Sequence, residues 1–487
     1  MLLRAGNSHS KIFIFQVIIG CNSYILLNLQ LKSLIMGKIY EFTPSYMLAK
    51  GYLLFGFKRF YREFIVTGRE NLPVDGSPVI FAPNHLNALM DALAISTLVP
   101  RTKAVIYLAR ADLFAHKTMA RLMHFAKIMP AFRMRDGFEN LEKNNRVFYQ
   151  CVDVLRFSHS LCIMPEGGQG EERKIRPLVK GIFRVAFEAQ QQFGEAKKVK
   201  IIPVGINFGD LQKSGKQIII NIGTPIEVSD YMSGFLLNPV AATNEMRDAL
   251  RNSLSDLTLD MATAKYYKSF ETISEIVSHE YIEPDKKANN TLEEFRLKQE
   301  TIRKLIQIEN DDPDKMKDLY RLAGTYNRII GKLKFKSGIF NQQKRYIPTF
   351  GLFLKLLLGL PVFLIGFLTN FLPAMLPVAI RKLLRVSYPG FYTSVDFGLA
   401  MITFPVFYIL QTVAVAAIFN LSWWMILIFI ALQFFSRPFA VTWYSRTRKF
   451  IARLRFDGLL VQRSHAANLL YRAISVRNKI IYKLNNA

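Results

Sequence analysis

The sequence predicts an α/β domain with helices on both faces of a sheet, a mainly helical subdomain after it, and a C-terminal region of membrane-spanning helices. Three observations carry this reading. Between Glu63 and about Val228, short apolar strands alternate with helical stretches. From Ser229 to about Gln343 the apolar runs shorten and Glu, Lys, Asp and Asn multiply. Beyond Lys355 come an uncharged run of 25 residues, Leu356–Ile380, and another of 40, Phe397–Ser436. Both exceed the roughly 20 residues that a helix needs to cross a hydrocarbon core.

Taken in order, the chain opens on an apolar stretch, Ile12–Leu31, broken by Gln16, Asn22, Ser23, Asn28 and Gln30. Such residues are costly inside a membrane, and Met36-Gly37-Lys38 reads as a natural start, so residues 1–35 are expected to be a non-native extension. Residues 36–66 mix rings (Tyr40, Tyr46, Tyr52, Phe55, Phe57, Phe60) with bases (Lys50, Lys58, Arg59, Arg62). That pattern predicts helices lying on a membrane surface, rings toward lipid and charges toward headgroups.

The α/β domain is placed at 67–228. Its expected strands are Phe64–Thr67, Pro78–Ala82, Ala104–Ala109, Lys127–Phe132, Leu161–Met164, Lys200–Phe208 and Gln217–Ile222. Helical spacing falls at Ala88–Leu98, His116–Phe125, Leu141–Phe157 and Leu178–Phe193. A helical subdomain follows at 229–345. The membrane region is set at 346–460 and a basic C-terminal tail at 461–487. Bases flank every end of the two apolar runs: Lys355 before, Arg381, Lys382 and Arg385 between, Arg437, Arg446 and Arg448 after. If such flanks stay in the cytoplasm, each run enters and returns, and the α/β domain sits on the cytoplasmic side. The second run is then a hairpin turning near Asn420-Leu421-Ser422; the first, with Pro361, Pro373 and Pro377, is a re-entrant pair or a tilted span.

The 487 residues carry a net charge of +27 with 51% hydrophobic content. A surplus of that size calls for an anionic partner: nucleic acid, a phosphorylated substrate or an anionic lipid face. The apolar runs favour lipid, and no helix-turn-helix, zinc spacing or stacking platform supports nucleic acid. Three cysteines, Cys21, Cys151 and Cys162, form neither a metal spacing nor a disulfide framework.

The chemistry concentrates at strand ends. Pro83-Asn84-His85-Leu86-Asn87-Ala88-Leu89-Met90-Asp91 follows one strand and opens a helix. Six residues along a continuous helix put two side chains about 600° apart, on different faces. His85 and Asp91 therefore meet only if His85 lies in the turn, with Asn87 as N-cap and Asp91 at the fourth helical position. A second strand ends at Pro130-Ala131-Phe132-Arg133. A third ends at Pro165-Glu166-Gly167-Gly168, followed by Arg173, Lys174 and Arg176 and by Lys180-Gly181. Glycine permits close backbone approach, and arginine offers a planar fork for phosphate. If these strands are parallel neighbours, all three ends open on one crevice.

In these segments the chain resembles the glycerophosphate acyltransferase superfamily, which includes lysophosphatidic acid acyltransferases. Asn84-His85 to Asp91, the block ending at Arg133, Pro165-Glu166-Gly167 and Ile201-Ile202-Pro203-Val204 match its four blocks in order. Lys180-Gly181 and Gly223-Thr224-Pro225-Ile226 resemble its further signatures, and the likeness covers roughly Phe64 to Val228. Two departures stand out. Five residues rather than four separate His85 from Asp91, a spacing similar to that of eukaryotic-type glycerol-3-phosphate and dihydroxyacetone-phosphate acyltransferases. Gly168 and Gln169 stand where the third block ends in Thr-Arg, so Arg173, Lys174 or Arg176 is expected to replace the phosphate contact of that arginine.

The resemblance implies an α/β acyltransferase domain with a mixed sheet. It also implies transfer of a fatty acyl group from acyl-CoA or an acyl carrier protein to glycerol 3-phosphate or lysophosphatidate. His85 would be the general base and Asp91 its partner. Asn84, Arg133, Glu166, Gly167 and Lys180 would bind the substrate. The donor is already an activated thioester, so neither a metal nor a further cofactor is expected, and no serine or cysteine sits in a nucleophile elbow. The alternative is a non-catalytic lipid-binding protein on the same fold.

Overall fold

A computed structural model describes residues 39–41, 43–132, 140–282, 290–340 and 350–486. The expected N-terminal extension, 1–35, lies outside them, as does Arg133. Helix α1 (Pro44–Phe60) is followed by β1 (Glu63–Thr67), β2 (Val79–Pro83), α2 (Ala88–Ser96), β3 (Val105–Arg110) and α3 (Lys117–Phe125). Then come β4 (Ile128–Ala131), α4 (Asn140–Arg156), β5 (Ser160–Cys162), α5 (Gly181–Phe193), β6 (Lys200–Phe208), β7 (Gln217–Ile222) and β8 (Ile226–Glu227). All seven expected strands form, with ends shifted by a residue or two.

The sheet runs β1-β7-β6-β2-β5-β3-β4, with β8 beside β6. Strands β2 to β6 are parallel, β7 is antiparallel to β6, and β1 is parallel to β7, so the sheet is mixed. Alternation along β2 divides the core. Ile80 and Ala82 face α4, α5 and a later helix through Leu155, Phe183 and Met246. Val79 and Phe81 face α1 and α2 through Phe57, Met90 and Leu93. Helices therefore cover both faces.

Helix α1 departs from its expected place on a membrane surface. Leu54, Phe57 and Phe60 belong to the core, and Lys50 is buried with its ammonium donating to Pro100 O (3.0 Å) and Lys103 O (2.7 Å). Burial pulls this lysine down to about 8. The physical reason is the turn at Tyr61–Arg62, which feeds α1 directly into β1 and holds its apolar stripe against the sheet.

After the sheet come α6 (Met232–Leu237), α7 (Pro239–Leu257), α8 (Tyr267–Tyr281), α9 (Asn290–Asp311) and α10 (Pro313–Leu333). The subdomain boundary differs from the expected 229. Ala242, Met246, Leu250 and Leu254 of α7 pack on the sheet, so that helix belongs to the α/β domain. Three long helices follow: α11 (Phe350–Leu383), α12 (Tyr392–Phe419) and α13 (Trp423–Val461). Each is long and apolar enough to cross a membrane. The expected basic tail is instead a last helix, α14 (His465–Asn485). Its Leu470, Ala473, Val476, Ile480 and Leu484 recur at helical spacing and complete the core of α8, α9 and α10.

The turn between α12 and α13 falls at 420–422, as expected. The first apolar run is one continuous helix rather than two helices of a re-entrant pair, but it changes partner midway. Its N-terminal half follows α13: Phe353 stacks on Phe450, Trp443 Nε1 donates to Leu356 O (2.9 Å), and Gly366 lies against Ser436 and Ala440. Its C-terminal half follows α12: Gln411 reaches Thr369 O (3.1 Å), Thr403 reaches Pro373 O (2.9 Å), and Arg381 pairs with Asp396 (2.7 Å). Helices α12 and α13 meet each other at Tyr408–Gln433 and Phe404–Arg437. The helices thus form three arms, two pointing toward the soluble domains and one ending at the 420–422 turn. Both ends of α11 lie on the domain side.

A single cysteine at Gly351, Ser387 or Ser422 tests this arrangement, with the unsubstituted chain as blank. In sealed vesicles an impermeant maleimide should label positions 351 and 387 from one side and position 422 from the other. Labelling of 351 and 387 from opposite sides would mean that α11 crosses once.

Candidate active site

Strand β2 ends at Pro83, and residues 84–87 turn into α2 with Asn87 as N-cap. Asp91 occupies the fourth helical position and is fully buried. Its Oδ2 lies 2.9 Å from His85 Nδ1 and accepts the N–H groups of Leu86 (2.9 Å) and Asn87 (2.7 Å). With the carboxylate as acceptor, Nδ1 carries the proton and Nε2 keeps its lone pair. The histidine side chain is 17% exposed, enough to meet a small reacting group. The pair forms as the spacing predicts, the extra residue being absorbed in the turn.

Several residues expected to bind substrate face inward instead. Asn84 is buried and spans β6: its Oδ1 accepts Ile206 N–H (2.6 Å) and its Nδ2 donates to Ile206 O (3.1 Å). Both ends of the amide are used, so Asn84 fixes the turn to the sheet. Glu166, also buried, accepts His85 N–H on Oε1 (2.8 Å) and Arg176 Nε on Oε2 (2.8 Å). Burial raises its carboxyl above the usual range, against the pull of those hydrogen bonds and of the Arg176 charge. Glu166 therefore braces the turn from behind.

Gly167 has φ +64°, and a Cβ there would meet Val179 Cγ1 at 2.8 Å. Protein, not ligand, makes the close approach that requires glycine. Lys180 is exposed at the N-cap of α5 and makes no side-chain contact with the pair. Strand β4, which leads to Arg133, lies at the sheet edge with β3 between it and β5. The three strands are parallel, but only β2 and β5 are neighbours, so only those two segments converge directly.

The basic tract is also committed. Arg176 pairs with Glu166 and donates to Gln169 O (2.9 Å) and Gly168 O. Arg173 pairs with Glu271 (3.0 Å) and reaches Phe208 O (3.0 Å), while Lys174 reaches Thr263 O (3.3 Å). None of the three stands free to replace a phosphate-binding arginine. Cys151 and Cys162 are buried, which pushes the first thiol up to about 12 and the second well above its usual value. Neither is a nucleophile.

Two sets of contacts, one with the connector between α11 and α12 and one with the first turn of α12, were not foreseen. Gln169 Nε2 donates to Leu86 O (2.9 Å) and Gly390 O (2.8 Å). The Asn87 side chain makes no cap bond of its own; Nδ2 donates to Thr393 Oγ1 (2.7 Å) and Oδ1 accepts from Ser394 Oγ (3.1 Å). Asn87 and Thr393 stand 306 positions apart, and no local pattern joins them.

A buried carboxylate and an imidazole oriented by it on an α/β scaffold can carry general-base chemistry. The family described as Acyltransferase matches residues 63–207. Over 215 residues the chain is 21% identical to the chloroplastic 1-acyl-sn-glycerol-3-phosphate acyltransferase BAT2 of Brassica napus, covering 43% of this chain and 57% of that one. Over 130 residues it is 24% identical to glycerol-3-phosphate O-acyltransferase 1 of Saccharomyces cerevisiae, covering 26% of this chain and 17% of that one. The crystal structure of the 1-acyl-sn-glycerophosphate acyltransferase PlsC from Thermotoga maritima aligns at a TM-score of 0.30 and 16% identity, covering 42% of this chain and 76% of that one. The chain thus spans 57% of one curated relative and 17% of the other. Residues 63–207 thus match an acyltransferase domain, and the chain is similar in that region to acyltransferases of glycerol phosphates.

The inward role of Asn84 is open to test. Asn84→Ala strands the Ile206 N–H and C=O, which should cost about 1–3 kcal/mol of stability. A lower melting temperature with unchanged KM for the acceptor is the expected result. A selective rise in acceptor KM would return Asn84 to substrate binding.

Proposed function

We propose that the protein transfers a fatty acyl group from a thioester, acyl-CoA or acyl carrier protein, to a hydroxyl of a glycerol phosphate, either glycerol 3-phosphate or lysophosphatidate. The single observation that supports this most is the 2.9 Å contact between His85 Nδ1 and buried Asp91. The printed activities of the Brassica and yeast relatives supply the substrate class. His85 Nε2 takes the proton of the acceptor hydroxyl as its oxygen attacks the thioester carbon. Asp91 stabilises the imidazolium that results. Collapse of the tetrahedral intermediate breaks the C–S bond, and His85 returns the proton to the departing sulfur. No covalent acyl-enzyme is needed.

Backbone donors at the helix start are not open to an oxyanion, because the Leu86 and Asn87 N–H groups are taken by Asp91. The Gly168 stretch, beside the Arg176 guanidinium, is the donor we assign to the oxyanion. With Glu166, Gly167 and the Arg173–Arg176 tract turned to structural use, Arg133 is our first choice for the acceptor phosphate, and exposed Lys180 our second. Three helices long and apolar enough to cross a membrane support attachment of the domain there, and the bases that flank them favour the cytoplasmic face.

Two predictions test this reading. His85→Ala should lower turnover by about 10² to 10⁴-fold, with membrane insertion unchanged in an alkaline carbonate extraction. Asp91→Asn should act in the same direction, since an amide orients the ring without stabilising its charge. Near wild-type turnover in His85→Ala would leave the lipid-binding alternative as the better account. Separately, Arg133→Lys should raise KM for the phosphorylated acceptor, because lysine does not reproduce a bidentate fork. A change confined to the donor KM would move Arg133 to the other substrate.

A further inference from the structure

We propose that the connector between the first two membrane helices, together with the first turn of α12, is part of the catalytic apparatus: Thr393 and Ser394, in that turn, are positioning residues that set the geometry of the His85–Asp91 pair. The inference rests on the general-base reading above. Its physical basis is the way Asp91 is held. The three donors on Oδ2 are His85 Nδ1 and the N–H groups of Leu86 and Asn87. Two of the three therefore belong to residues that the connector grips. Thr393 and Ser394 bond both ends of the Asn87 amide, and all three residues are buried. Thr393 Oγ1 passes its own proton to Leu211 O (3.1 Å), which closes the network onto the loop between β6 and β7. Leu86 is held through Gln169, whose one amide nitrogen bridges the Leu86 and Gly390 carbonyls.

An N-cap asparagine would ordinarily bond the free N–H groups of its own helix. Here the N-cap spends its amide on the membrane region, and Asp91 caps the turn in its place. The buried position of the Asn87 network makes water a poor substitute for the lost partners. Loosening it would let the 86–87 turn relax and shift Oδ2 away from the histidine. A misplacement of about 1 Å at a reacting group costs on the order of 10²-fold in rate. Substrate contacts are not involved, so the loss should fall on kcat.

The test uses the full chain in lipid nanodiscs, with palmitoyl-CoA as donor and glycerol 3-phosphate and lysophosphatidate as acceptors. The Thr393→Val/Ser394→Ala double variant should lose on the order of tenfold to a hundredfold in kcat, with KM for donor and acceptor within about twofold. Thr393→Ser, which keeps the hydroxyl, should retain most of the wild-type kcat. Should the double variant fail to accumulate in membranes, Ser394→Ala alone decides by the same split. Unchanged kcat, a loss expressed in KM, or a Thr393→Ser variant as impaired as the double variant would overturn the inference. His85→Ala runs beside them. If it is inactive while the connector variants are normal, only the positioning role fails; if it is active, the base assignment fails first.

Discussion

The structure turns on one oxygen. Fully buried Asp91 accepts three N–H groups of the turn on Oδ2, while Oδ1 has no partner among the described residues. Removing a carboxylate from water costs several kcal/mol unless partners compensate, and here all the compensation converges on a single atom. The turn can therefore adopt few other shapes. Asn84 ties its start to β6, Glu166 takes the His85 N–H from behind, and Gln169 holds the Leu86 carbonyl. Each of these contacts involves backbone as well as side chain. The polar residues at these strand ends are, for the most part, those that keep the turn in register with the carboxylate.

The membrane region meets a comparable constraint. Proline removes an N–H and leaves the carbonyl four residues earlier without its helical partner. In a hydrocarbon core such a group must be satisfied from nearby. Pro373 and Pro377 free the carbonyls of Thr369 and Pro373, which take Gln411 and Thr403 of α12. Pro405 frees Met401 O, which accepts the Tyr52 hydroxyl (2.5 Å), and Pro438 frees Phe434 O, which accepts Arg59 (3.5 Å). The last two donors come from α1, whose other side lies in the sheet's core. Helix α1 is thus shared between the soluble domain and the proline-bent helices, and the domain is fixed to the membrane region at two places: α1 and the connector at Asn87.

Much of the fold was legible because its strands are short apolar runs bounded by turns, and the membrane helices because a long uncharged run has few other uses. The His85–Asp91 pair was legible for a geometric reason: six residues fit only a turn followed by one helical turn. Side-chain direction was not. The motif places Asn84, Glu166 and Gly167 at strand ends, but sequence spacing does not say whether a strand-end side chain turns to the crevice or back into the sheet. Strand order was hidden too, since β3 separates β4 from β5 and nothing local reports a crossover. The basic C-terminal segment read as a tail because its charges drew attention from Leu470, Ala473, Val476 and Ile480, whose spacing marks a buried helical face. The connector contacts depend on pairings across some three hundred residues.

Gln169 shows how one replacement reorganises a site. Its neutral amide joins two carbonyls, Leu86 O and Gly390 O, with no charge to neutralise. The guanidinium of Arg176 already occupies the carbonyls of Gly168 and Gln169 and pairs with Glu166. An arginine at position 169 would set a second cation against the first in a partly buried space, with one carboxylate between them. Repulsion in such a setting is screened far less than at an open surface. The positive charge at this end of β5 is thus supplied from position 176, where it neutralises Glu166 and closes the loop instead of waiting for an anion. Under the proposed function an acceptor phosphate would be met by bases outside this loop, which is why the arginine beyond β4 carries more of the proposed recognition here than the residues of the third block.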